Sequence, residues 1–391
     1  MNLERQHITR LVFLSFLSRT FIYLFAYWSS SSLPLFDASP NLVLISRWSK
    51  PLLRWDVFHF AHIAEHGYVY EHEWAFFPGL PLLMSLFKKW DMLLAASMVA
   101  IACDTTIVLY RLTLHHFGSS NLAFLTALLS LLSSSPATLR LAPYAEPFFT
   151  YLSYRGMLFC AQSKWFFATI CFCLANTFRS NGILLSGFIL WGLLVEPLIK
   201  TTKLPMRLSV YVKSIAYTAM IFAPFIYHQT TGYLAFCTGS DHKHVHTAGP
   251  AWCSQSLPLI YSHVQSTYWN LGLLRYWTLA QFPNFIIASP PFIVMIAYSV
   301  HILRKWMRGD ASQSEVALIP HTIHACVLCC MLLFNSHVQI VLRLAPSMPL
   351  IYWAAAWLVM DHATAARWWV CWSIIWGMLS SLLWSTFLPP A

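Results

Sequence analysis

Charged side chains are scarce in this chain of 391 residues: they occupy 10% of positions, whereas hydrophobic residues occupy 58%. Soluble globular domains carry about a quarter charged residues, so the composition excludes a soluble domain. Intrinsic disorder is excluded as well, because a disordered chain combines low hydrophobicity with high net charge. The composition, with a mean hydropathy of +0.58, therefore predicts a protein that resides in a bilayer.

The chain also lacks internal repeats, low-complexity tracts and any boundary of a soluble domain. A transporter is the main alternative for a polytopic chain, and transporters commonly contain two related halves. Because neither half repeats the other, residues 1–391 are best described as one multispanning membrane domain. An Asn-x-Ser/Thr acceptor is absent too, so native N-glycosylation provides no marker of sidedness.

Apolar runs long enough, or nearly so, to cross about 30 Å of hydrocarbon recur along the whole chain. The first, Leu11 to Trp28, follows basic residues and lacks a clean small-residue cleavage site, which indicates an uncleaved signal anchor. Ten more lie near residues 92–110, 121–141, 145–160, 165–178, 183–199, 208–228, 282–303, 320–335, 344–360 and 368–388. The sequence thus predicts an all-α polytopic membrane protein with about eleven transmembrane helices.

Basic residues fall in alternate connectors between these runs: Arg111 with His115, Arg155 with Lys164, Lys200 with Lys203 and Arg207, Arg304 with Lys305 and Arg308, and Arg367. Positive charge concentrates in cytoplasmic connectors, so we predict that these five connectors and the N-terminus face the cytosol. The net charge of +10 then reflects orientation in the membrane. Nucleic acid is therefore not expected as a partner.

The opposite connectors share the non-cytosolic face in this threading, and two of them are long: residues 29–91 and 229–281. The first contains a short apolar stretch, Ala75 to Phe87, that is interrupted by two prolines and a glycine. Counting this stretch as a crossing would invert every later connector. We therefore predict that it forms a juxtamembrane or re-entrant hairpin.

Asp56 and His59 stand three residues apart in the first long connector, among the aromatic residues Trp55, Phe58 and Phe60. At helical spacing the carboxylate and the imidazole lie beside each other on one face. Aromatic faces next to a carboxylate suit sugar recognition, and an ordinary solvated surface helix is the alternative interpretation.

Two histidine patterns raise the question of whether the protein binds a metal ion. His62 to His66 matches His-x-x-Glu-His, in which two histidines bind zinc, but the match is short and no third ligand is evident. Asp241 to His246 places three histidines at alternate positions, where a solvated turn is the favoured interpretation. Cys171/Cys173 and Cys329/Cys330 lack zinc-site spacing. We predict no metal site.

Polar residues also stand at the ends of later apolar runs. Glu146 precedes Pro147 at the start of a run, where it either benefits from the helix dipole or accepts substrate hydroxyls. Arg179 and Asn181 lie between two runs, where the arginine either contacts a phosphate with two nitrogens or extends to lipid headgroups.

A third polar group follows the run near 320–335. Gln339 and Arg343 are four residues apart and share a helix face, with His337 just before them. They are candidates for lining an internal cavity, and a structural bond between spans is the alternative.

The segment from Trp55 to Pro81 carries the string WDxxHFxxIAEHGYxYE followed by AFFPGxP. It closely resembles the first luminal loop of the GPI mannosyltransferase II, or phosphatidylinositol-glycan class V, family. Further ordered matches span nearly the whole chain: Arg179 to Gly182, Trp252–Cys253, Pro258 to Ser262, Tyr268 to Gly272, Gln281 to Phe285, His337 to Gln339 with Arg343, and Phe387 to Pro389.

The resemblance implies a multi-pass enzyme of the endoplasmic reticulum membrane, of the GT-C glycosyltransferase type, with a luminal active site. It implies transfer of mannose from dolichyl-phosphate-mannose to the first mannose of the GPI-anchor precursor, through an α1,6 link. Its partners are then the lipid-linked donor and acceptor, and no cofactor is implied. The need for a small membrane partner subunit stays open, and a noncatalytic subunit of such a pathway is a further alternative.

The donor is a β-linked mannosyl phosphate and the product is α-linked, so the configuration of the anomeric carbon inverts. Inversion requires one displacement, assisted by a general base. Asp56 is the predicted base, His59 its orienting neighbour, and Glu71 and Glu146 are reserve candidates that contact substrate. The leaving group is a lipid monophosphate, and its charge requires cations.

Arg179 and Arg343 are the predicted phosphate ligands, with His337 as a further donor. A metal is unnecessary if these cations suffice, because no diphosphate has to be bridged. Trp55, Asn181 and Gln339 complete the predicted substrate-binding set. Cys237 and Cys253 lie on the oxidising side and are candidates for a disulfide.

Overall fold

The computed structural model describes residues 2–89, 91–200, 207–238 and 250–388. All regular elements in these ranges are helical, which confirms the predicted all-α class. The predicted histidine-rich turn, residues 241–246, lies outside the described residues.

The α-helices of these ranges are α1 (Asn2–Ser32), α2 (Asp56–His66), α3 (Gly79–Ser85), α4 (Met92–Ala102), α5 (Thr105–Phe117), α6 (Ser120–Leu129), α7 (Pro136–Arg140), α8 (Ala145–Ala161), α9 (Trp165–Asn176), α10 (Ser186–Leu190), α11 (Glu196–Lys200), α12 (Leu208–Cys237), α13 (Ile260–Tyr268), α14 (Phe282–Arg308), α15 (Gln313–Ala317), α16 (Ile319–Asn335), α17 (Val341–Leu344), α18 (Pro349–Asp361) and α19 (Ala363–Ser385). A π-helical segment, Trp191–Val195, joins α10 to α11.

Several helices are long and apolar enough to cross a membrane. In the described ranges there are five such stretches: Leu3–Ser32, Met92–Phe117, Ser180–Ile199, Leu208–Cys237 and Leu279–Arg308. A sixth forms if Val338–Ser347 and Pro349–Asp361, bent by 85°, count as one span. The chain is therefore a multi-pass membrane protein, whereas the predicted total of about eleven spans stays a prediction.

Two of the predicted runs are interrupted, one by a polar cap and one before a proline. Asp104 separates α4 from α5, because its carboxylate accepts a hydrogen bond of 2.9 Å from the amide of Thr106. The run near 121–141 is broken after Leu129, and α7 begins with Pro136, whose fixed φ suits a first helical position. Neither run is one regular helix throughout, although α4 and α5 together remain long enough to span.

Two buried arginines and a half-buried aspartate stabilise the junction of α1, α5 and α7, and we call them the Arg19 cluster: Arg19, Asp104 and Arg140. The guanidinium of Arg19 lies 3.0 Å from the carboxylate of Asp104 and donates a second bond of 3.1 Å to the carbonyl of Arg140. Arg140 is 2% exposed and donates to hydroxyl and carbonyl oxygens of Ser15, Thr106 and Ser130. Pairing and hydrogen bonding offset the cost of burying these charges.

The antiparallel α8–α9 hairpin brings distant polar residues to one end of the molecule. Glu146 lies in the first turn of α8, and Arg179 follows the end of α9. Gly156 permits the close approach of the two helices, because a Cβ atom there would lie 2.2 Å from a ring carbon of Phe172. The hairpin thus fixes which residues meet at its open end.

The two long connectors are folded against each other at this same end. A disulfide joins Cys237, the last residue of α12, to Cys253. Trp252 is 1% exposed and donates a hydrogen bond of 2.7 Å from its indole nitrogen to Glu71, which also accepts one of 3.1 Å from Tyr268. α12 continues to Cys237, so the first residues of the predicted loop 229–281 are helical.

Candidate active site

A cavity of about 1020 Å³ opens at the end of the helices where the two connectors pack. Its walls come from α2, the segment after α9, α13, and residues 335–344. Eight of the residues predicted from the sequence line it: Trp55, Asp56, His59, Arg179, Asn181, His337, Gln339 and Arg343. The structure therefore brings together residues that are up to 288 positions apart in the chain, counted from Trp55 to Arg343.

Asp56 is the first residue of α2, a helix that buries Val57, Phe60 and Ala64 in the core. Burial of that face turns the carboxylate toward the cavity, where the side chain is 31% exposed. A carboxylate in the first turn is also stabilised by the helix dipole. The amphipathic pattern of α2 thus determines where Asp56 points.

Trp55 precedes α2 in a strained backbone conformation, with φ of +51°. A residue with a Cβ atom rarely occupies this region. The strain is held by packing, because the indole ring lies 5.0 Å from the ring of Phe387. Beneath it, Arg54 is fully buried and donates hydrogen bonds of 2.8 Å to the carbonyls of Ser385 and Leu53. The C-terminal segment therefore fixes the start of α2.

Four charged side chains form a continuous series at the edge of the cavity, and we call it the arginine–carboxylate network: Asp56, Arg343, Glu146 and Arg179. Nη2 of Arg343 lies 2.9 Å from Oδ2 of Asp56 and 2.7 Å from Oε1 of Glu146. The same Oε1 atom accepts a hydrogen bond of 2.8 Å from Nη1 of Arg179. The two positive and two negative groups balance, so the network is neutral.

Glu146 has a different position from the one predicted for it. Its side chain is 2% exposed and does not line the cavity, because the two guanidinium groups cover it. Glu146 therefore lies behind Arg179 and Arg343 as their shared partner, and its contact with substrate hydroxyls stays a prediction.

Glu71 also lies outside the cavity. Its carboxylate is occupied by Trp252 and Tyr268, and His263 lies 3.4 Å away. These contacts join the two long connectors. In the structure Glu71 holds the two connectors together, and its role in substrate binding stays a prediction.

His59 lines the cavity but makes no hydrogen bond to Asp56 among the described residues. Its ring stacks on Phe76 at 4.6 Å and lies 5.5 Å from the ring of His72. Burial lowers the pKa of His59, and the nearby charge of Asp56 acts in the opposite direction. The orienting contact that we predicted for His59 is made instead by Arg343.

His337 lines the cavity in a defined protonation pattern. Its Nε2 atom donates a hydrogen bond of 3.0 Å to the carbonyl of Trp269, and burial lowers its pKa. The neutral ring that this favours carries its proton on Nε2, so Nδ1 is an acceptor. This tautomer disagrees with the prediction that His337 donates to a phosphate.

Four of the side chains that line this cavity have a buried polar atom without a hydrogen-bond partner. Within the described ranges these atoms are Nε1 of Trp55, Nε of Arg179, Nδ2 of Asn181 and Oε1 of Gln339. Leaving such a group unpaired costs about 1–3 kcal/mol. Three donors and one acceptor are therefore available to a polar ligand whose binding lets these side chains adjust.

The histidines of the predicted zinc motif are used elsewhere. The His62 ring bonds to the carboxylate of Glu73, and His66 lies 3.7 Å from Glu65. Glu73 is 1% exposed and also accepts hydrogen bonds from the amides of Val69 and Tyr70. In the part of the chain that the structure describes, no three His, Cys, Asp or Glu residues are grouped to hold a metal ion.

Comparison with known proteins supplies the family. The model of the family "Mannosyltransferase (PIG-V)" matches residues 8–391. The chain belongs to the PIG-V mannosyltransferase family. No solved structure matches it.

Curated relatives in the PIG-V family resemble the chain along most of its length. A GPI mannosyltransferase 2 from Cryptococcus neoformans is 34% identical over 93% of both chains. A GPI alpha-1,6-mannosyltransferase 2 from Cricetulus griseus is 33% identical over 81% of this chain and 74% of its own length. A GPI mannosyltransferase 2 from Schizosaccharomyces pombe is 30% identical over 96% of this chain and 84% of its own length.

Two parts of this PIG-V site have no counterpart in the predicted residue set. Ser180 donates a hydrogen bond of 2.8 Å to the hydroxyl of Tyr261, and both line the cavity. Tyr144 lies under Arg343, with the guanidinium carbon 5.1 Å from the ring centre. Both could have been suspected from their positions in the sequence, since Ser180 adjoins Arg179 and Tyr144 stands two residues before Glu146.

Proposed function

We propose that the protein transfers mannose from dolichyl-phosphate-mannose to the first mannose of a GPI-anchor precursor, making an α1,6 link. The names of its relatives and its membership of the PIG-V family support this function. The observation that carries the mechanism is the arginine–carboxylate network, which sets one carboxylate and two guanidinium groups at the edge of a single cavity.

Asp56 is the proposed general base. Arg343 holds its Oδ2 atom, whereas Oδ1 has no hydrogen-bond partner among the described residues. A single displacement at the anomeric carbon needs a base that removes the proton of the acceptor hydroxyl. Oδ1 of Asp56 takes this proton as the hydroxyl oxygen attacks and the bond from carbon to the phosphate oxygen breaks.

Arg179 and Arg343 are proposed to stabilise the departing dolichyl phosphate. Charge develops on the phosphate oxygens in the transition state, and fixed cations beside it lower the barrier. Nε of Arg179 is unpartnered in the described structure and is one donor available for this purpose. No metal is needed in this scheme, because a monophosphate leaves.

Glu146 is proposed to position these two cations. One of its oxygen atoms bonds both guanidinium groups, at 2.8 Å to Nη1 of Arg179 and 2.8 Å to Nε of Arg343. Two like charges repel each other, and a shared carboxylate offsets that repulsion. Glu146 thereby holds the arginines close enough to contact one phosphate.

The apolar wall of the cavity fits the lipid character of the substrates. Leu328, Met331 and Leu332 of α16 line one side, and Phe225 of α12 lines another. We propose that the prenyl chain of the donor enters from the bilayer along this wall. The scheme includes about eleven spans, a cytosolic N-terminus, and a luminal active site in the endoplasmic reticulum membrane.

The test is a reconstituted transfer assay. Membranes or purified protein receive dolichyl-phosphate-mannose with a labelled sugar and a GPI precursor that carries one mannose. We expect the wild-type protein to add a second mannose and Asp56→Asn to lose about 10²–10⁴-fold of the rate. Asp37→Asn is the matched control, since this half-buried carboxylate lines the same cavity but pairs with Ser39.

Equal transfer by wild type and Asp56→Asn would contradict the role of Asp56 as the base. Absence of transfer by the wild-type protein, together with full activity of a separate subunit that it accompanies, would favour a noncatalytic role. Movement of the unmodified precursor across the membrane without mannose addition would favour a transporter.

A further inference from the structure

One helix of the second long connector, α13, presents a polar face to the candidate active site. Four residues of this segment line the cavity, and we call them the α13 face: Ser262, Gln265, Ser266 and Trp269. Residues spaced by three, four and seven positions lie on one side of a helix. Ile260 and Val264 lie on the other side and are fully buried in the core. The α13 face is therefore the side of the helix that is turned away from the core.

Contacts at both ends hold α13 in position. At its start, the amide of Tyr261 donates a hydrogen bond of 3.0 Å to the side-chain oxygen of Gln229 in α12. After its last turn, the carbonyl of Trp269 accepts a hydrogen bond of 3.0 Å from His337. A wall that is already ordered costs less conformational entropy when a ligand binds to it. The α13 face is therefore preorganised for binding.

The polar atoms of the α13 face are accessible and are not used by the rest of the protein. Ser262 is exposed, and Gln265 and Trp269 are half-buried. In the described ranges, the hydroxyl of Ser262, the side-chain amide of Gln265 and the indole N–H of Trp269 have no hydrogen-bond partner. The unpaired atoms of Gln265 and Trp269 are not buried, so a ligand in the cavity can reach them.

The α13 face carries no charge, in contrast to the arginine–carboxylate network. The sequence of α13 contains no Asp, Glu, Lys or Arg. Phosphate groups are bound most strongly by charged donors, whereas hydroxyl and amide groups both donate to and accept from neutral hydroxyls. Trp269 adds an aromatic ring with a polar N–H. The α13 face therefore suits a neutral ligand with many hydroxyl groups, which is the chemistry of a sugar.

A series of aromatic contacts connects the α13 face with Asp56. Trp269 lies edge-on to Phe76, with ring centres 6.2 Å apart, and Phe76 stacks on His59 at 4.6 Å. His59 and Asp56 are about one helical turn apart on α2. All four residues line the cavity. A ligand that reaches Asp56 with one hydroxyl can therefore extend along these rings to the α13 face.

The length of the α13 face distinguishes the two sugar-bearing substrates. From Ser262 to Trp269 it extends over about 10 Å at ~1.5 Å per residue, which is more than one sugar ring covers. The donor has a single mannose, and its phosphate is assigned to Arg179 and Arg343. The head group of the acceptor has further rings beyond the mannose that receives the new bond. The acceptor is therefore the occupant that this wall fits.

We propose that the α13 face binds the sugar head group of the acceptor and selects it by its hydroxyl groups. This inference rests on the proposed mannosyl transfer and adds the acceptor subsite to it. Gln265 exchanges hydrogen bonds with ligand hydroxyls, Ser262 supplies a further hydroxyl, and Trp269 contacts a sugar ring. A site that hydrogen-bonds the hydroxyls of its substrate discriminates against analogues that lack them.

The kinetic test compares variants of the α13 face in the reconstituted transfer assay. We expect KM for the acceptor to rise about tenfold in Gln265→Ala and about threefold in Ser262→Ala, as for the loss of one or two hydrogen bonds. KM for dolichyl-phosphate-mannose and the unfolding temperature should stay at the wild-type values. Thr267→Ala is the matched control, because Thr267 is an exposed residue of the same helix that does not line the cavity.

Two kinetic results would overturn the proposal. One is an unchanged KM for the acceptor in the double variant Ser262→Ala/Gln265→Ala. The other is an equal rise of KM for both substrates, which would mean that the variants disturb the whole cavity rather than an acceptor subsite.

A binding measurement separates this inference from the proposed reaction. Labelled one-mannose precursor is added to purified full-length protein without the donor, and phosphatidylinositol serves as a competitor with a similar lipid but without these sugars. We expect saturable binding, at least tenfold weaker binding by the double variant, and at least tenfold weaker competition by phosphatidylinositol. Equal competition by phosphatidylinositol would show that the lipid part is recognised and would refute the subsite.

The two measurements together show which proposal fails. Transfer by the wild-type protein, combined with equal precursor binding by wild type and double variant, would overturn the α13 subsite alone. Precursor binding that depends on Ser262 and Gln265, without any transfer, would support the subsite and contradict the proposed reaction.

Discussion

The arginine–carboxylate network and the Arg19 cluster contain similar groups in different surroundings. In the Arg19 cluster the guanidinium of Arg19 pairs with Asp104, whereas Arg140 donates to hydroxyl and carbonyl oxygens of neighbouring helices and keeps its Nε atom unpartnered among the described residues. In the network the charges balance, the arginines are 18% and 20% exposed, and unpartnered polar atoms line the cavity beside them. Burial of an ion pair is therefore no sign of function by itself; what distinguishes the network is that its arginines and Asp56 line a cavity.

The largest effect is expected for Asp104→Asn, which tests whether the Arg19 cluster serves stability and the arginine–carboxylate network serves transfer. Asp104→Asn leaves Arg19 and Arg140 without a carboxylate in the described structure, and breaking such a buried pair costs about 3–5 kcal/mol. We expect a large loss of thermal stability, measured as the half-life of the detergent-solubilised protein. Transfer per folded molecule should stay at the wild-type value, and a selective loss of transfer would contradict a purely structural cluster.

Arg343→Lys, in the arginine–carboxylate network, should lower activity and leave stability nearly unchanged, which is the opposite of the effect of Asp104→Asn. A lysine cannot contact Asp56 and Glu146 with separate nitrogens of one planar group. We expect kcat/KM to fall about 100-fold, as for loss of one fixed donor at a developing charge, with little change in unfolding temperature. Arg155→Lys provides the control, because Arg155 stacks on Phe159 outside the cavity.

Glu146→Gln would sharpen the comparison further, because it retains a hydrogen-bond acceptor and removes one charge. The network then carries a net charge of +1, so the donor phosphate should bind more tightly and the product phosphate should leave more slowly. We expect a lower KM for dolichyl-phosphate-mannose and a kcat reduced about tenfold, which corresponds to ~1.4 kcal/mol. A raised KM with unchanged kcat would instead indicate a direct substrate contact.

The smallest effect is expected at Tyr261. Tyr261→Phe removes the acceptor of the Ser180 hydroxyl but retains the ring, so the loss is about 0.5–1.5 kcal/mol. We expect at most a tenfold rise in KM for the acceptor, measured with the donor at saturation. An effect as large as that of Arg343→Lys would mean that this hydroxyl contacts the reacting atoms.

The sequence predicted the members of the cavity better than their contacts. Arg179 and Arg343 were assigned to one face from the alternation of basic connectors, and both line the cavity with Asp56. The partner of each arginine could not be predicted, because it depends on how closely α8 packs on its neighbours. For the same reason Glu146 was expected at the surface of the site and lies behind it.

Helix continuity was harder to predict than helix position. Helical residues occur in each predicted apolar run, but single polar caps such as Asp104 divide some of them. Hydropathy averaged over a window does not register one capping side chain. The contacts of Glu71 could not be predicted for a related reason: its partners, Trp252 and Tyr268, are more than 180 residues away in the chain.

The disulfide between Cys237 and Cys253 has a consequence for biosynthesis. It ties the end of α12 to the segment that carries Trp252, and Trp252 in turn anchors Glu71 in the first long connector. The first connector is therefore translated long before the residues that secure it. Without this disulfide the contact between Trp252 and Glu71 is less firmly held, so we expect newly made chains kept in a thiol reductant to accumulate with a protease-sensitive first connector.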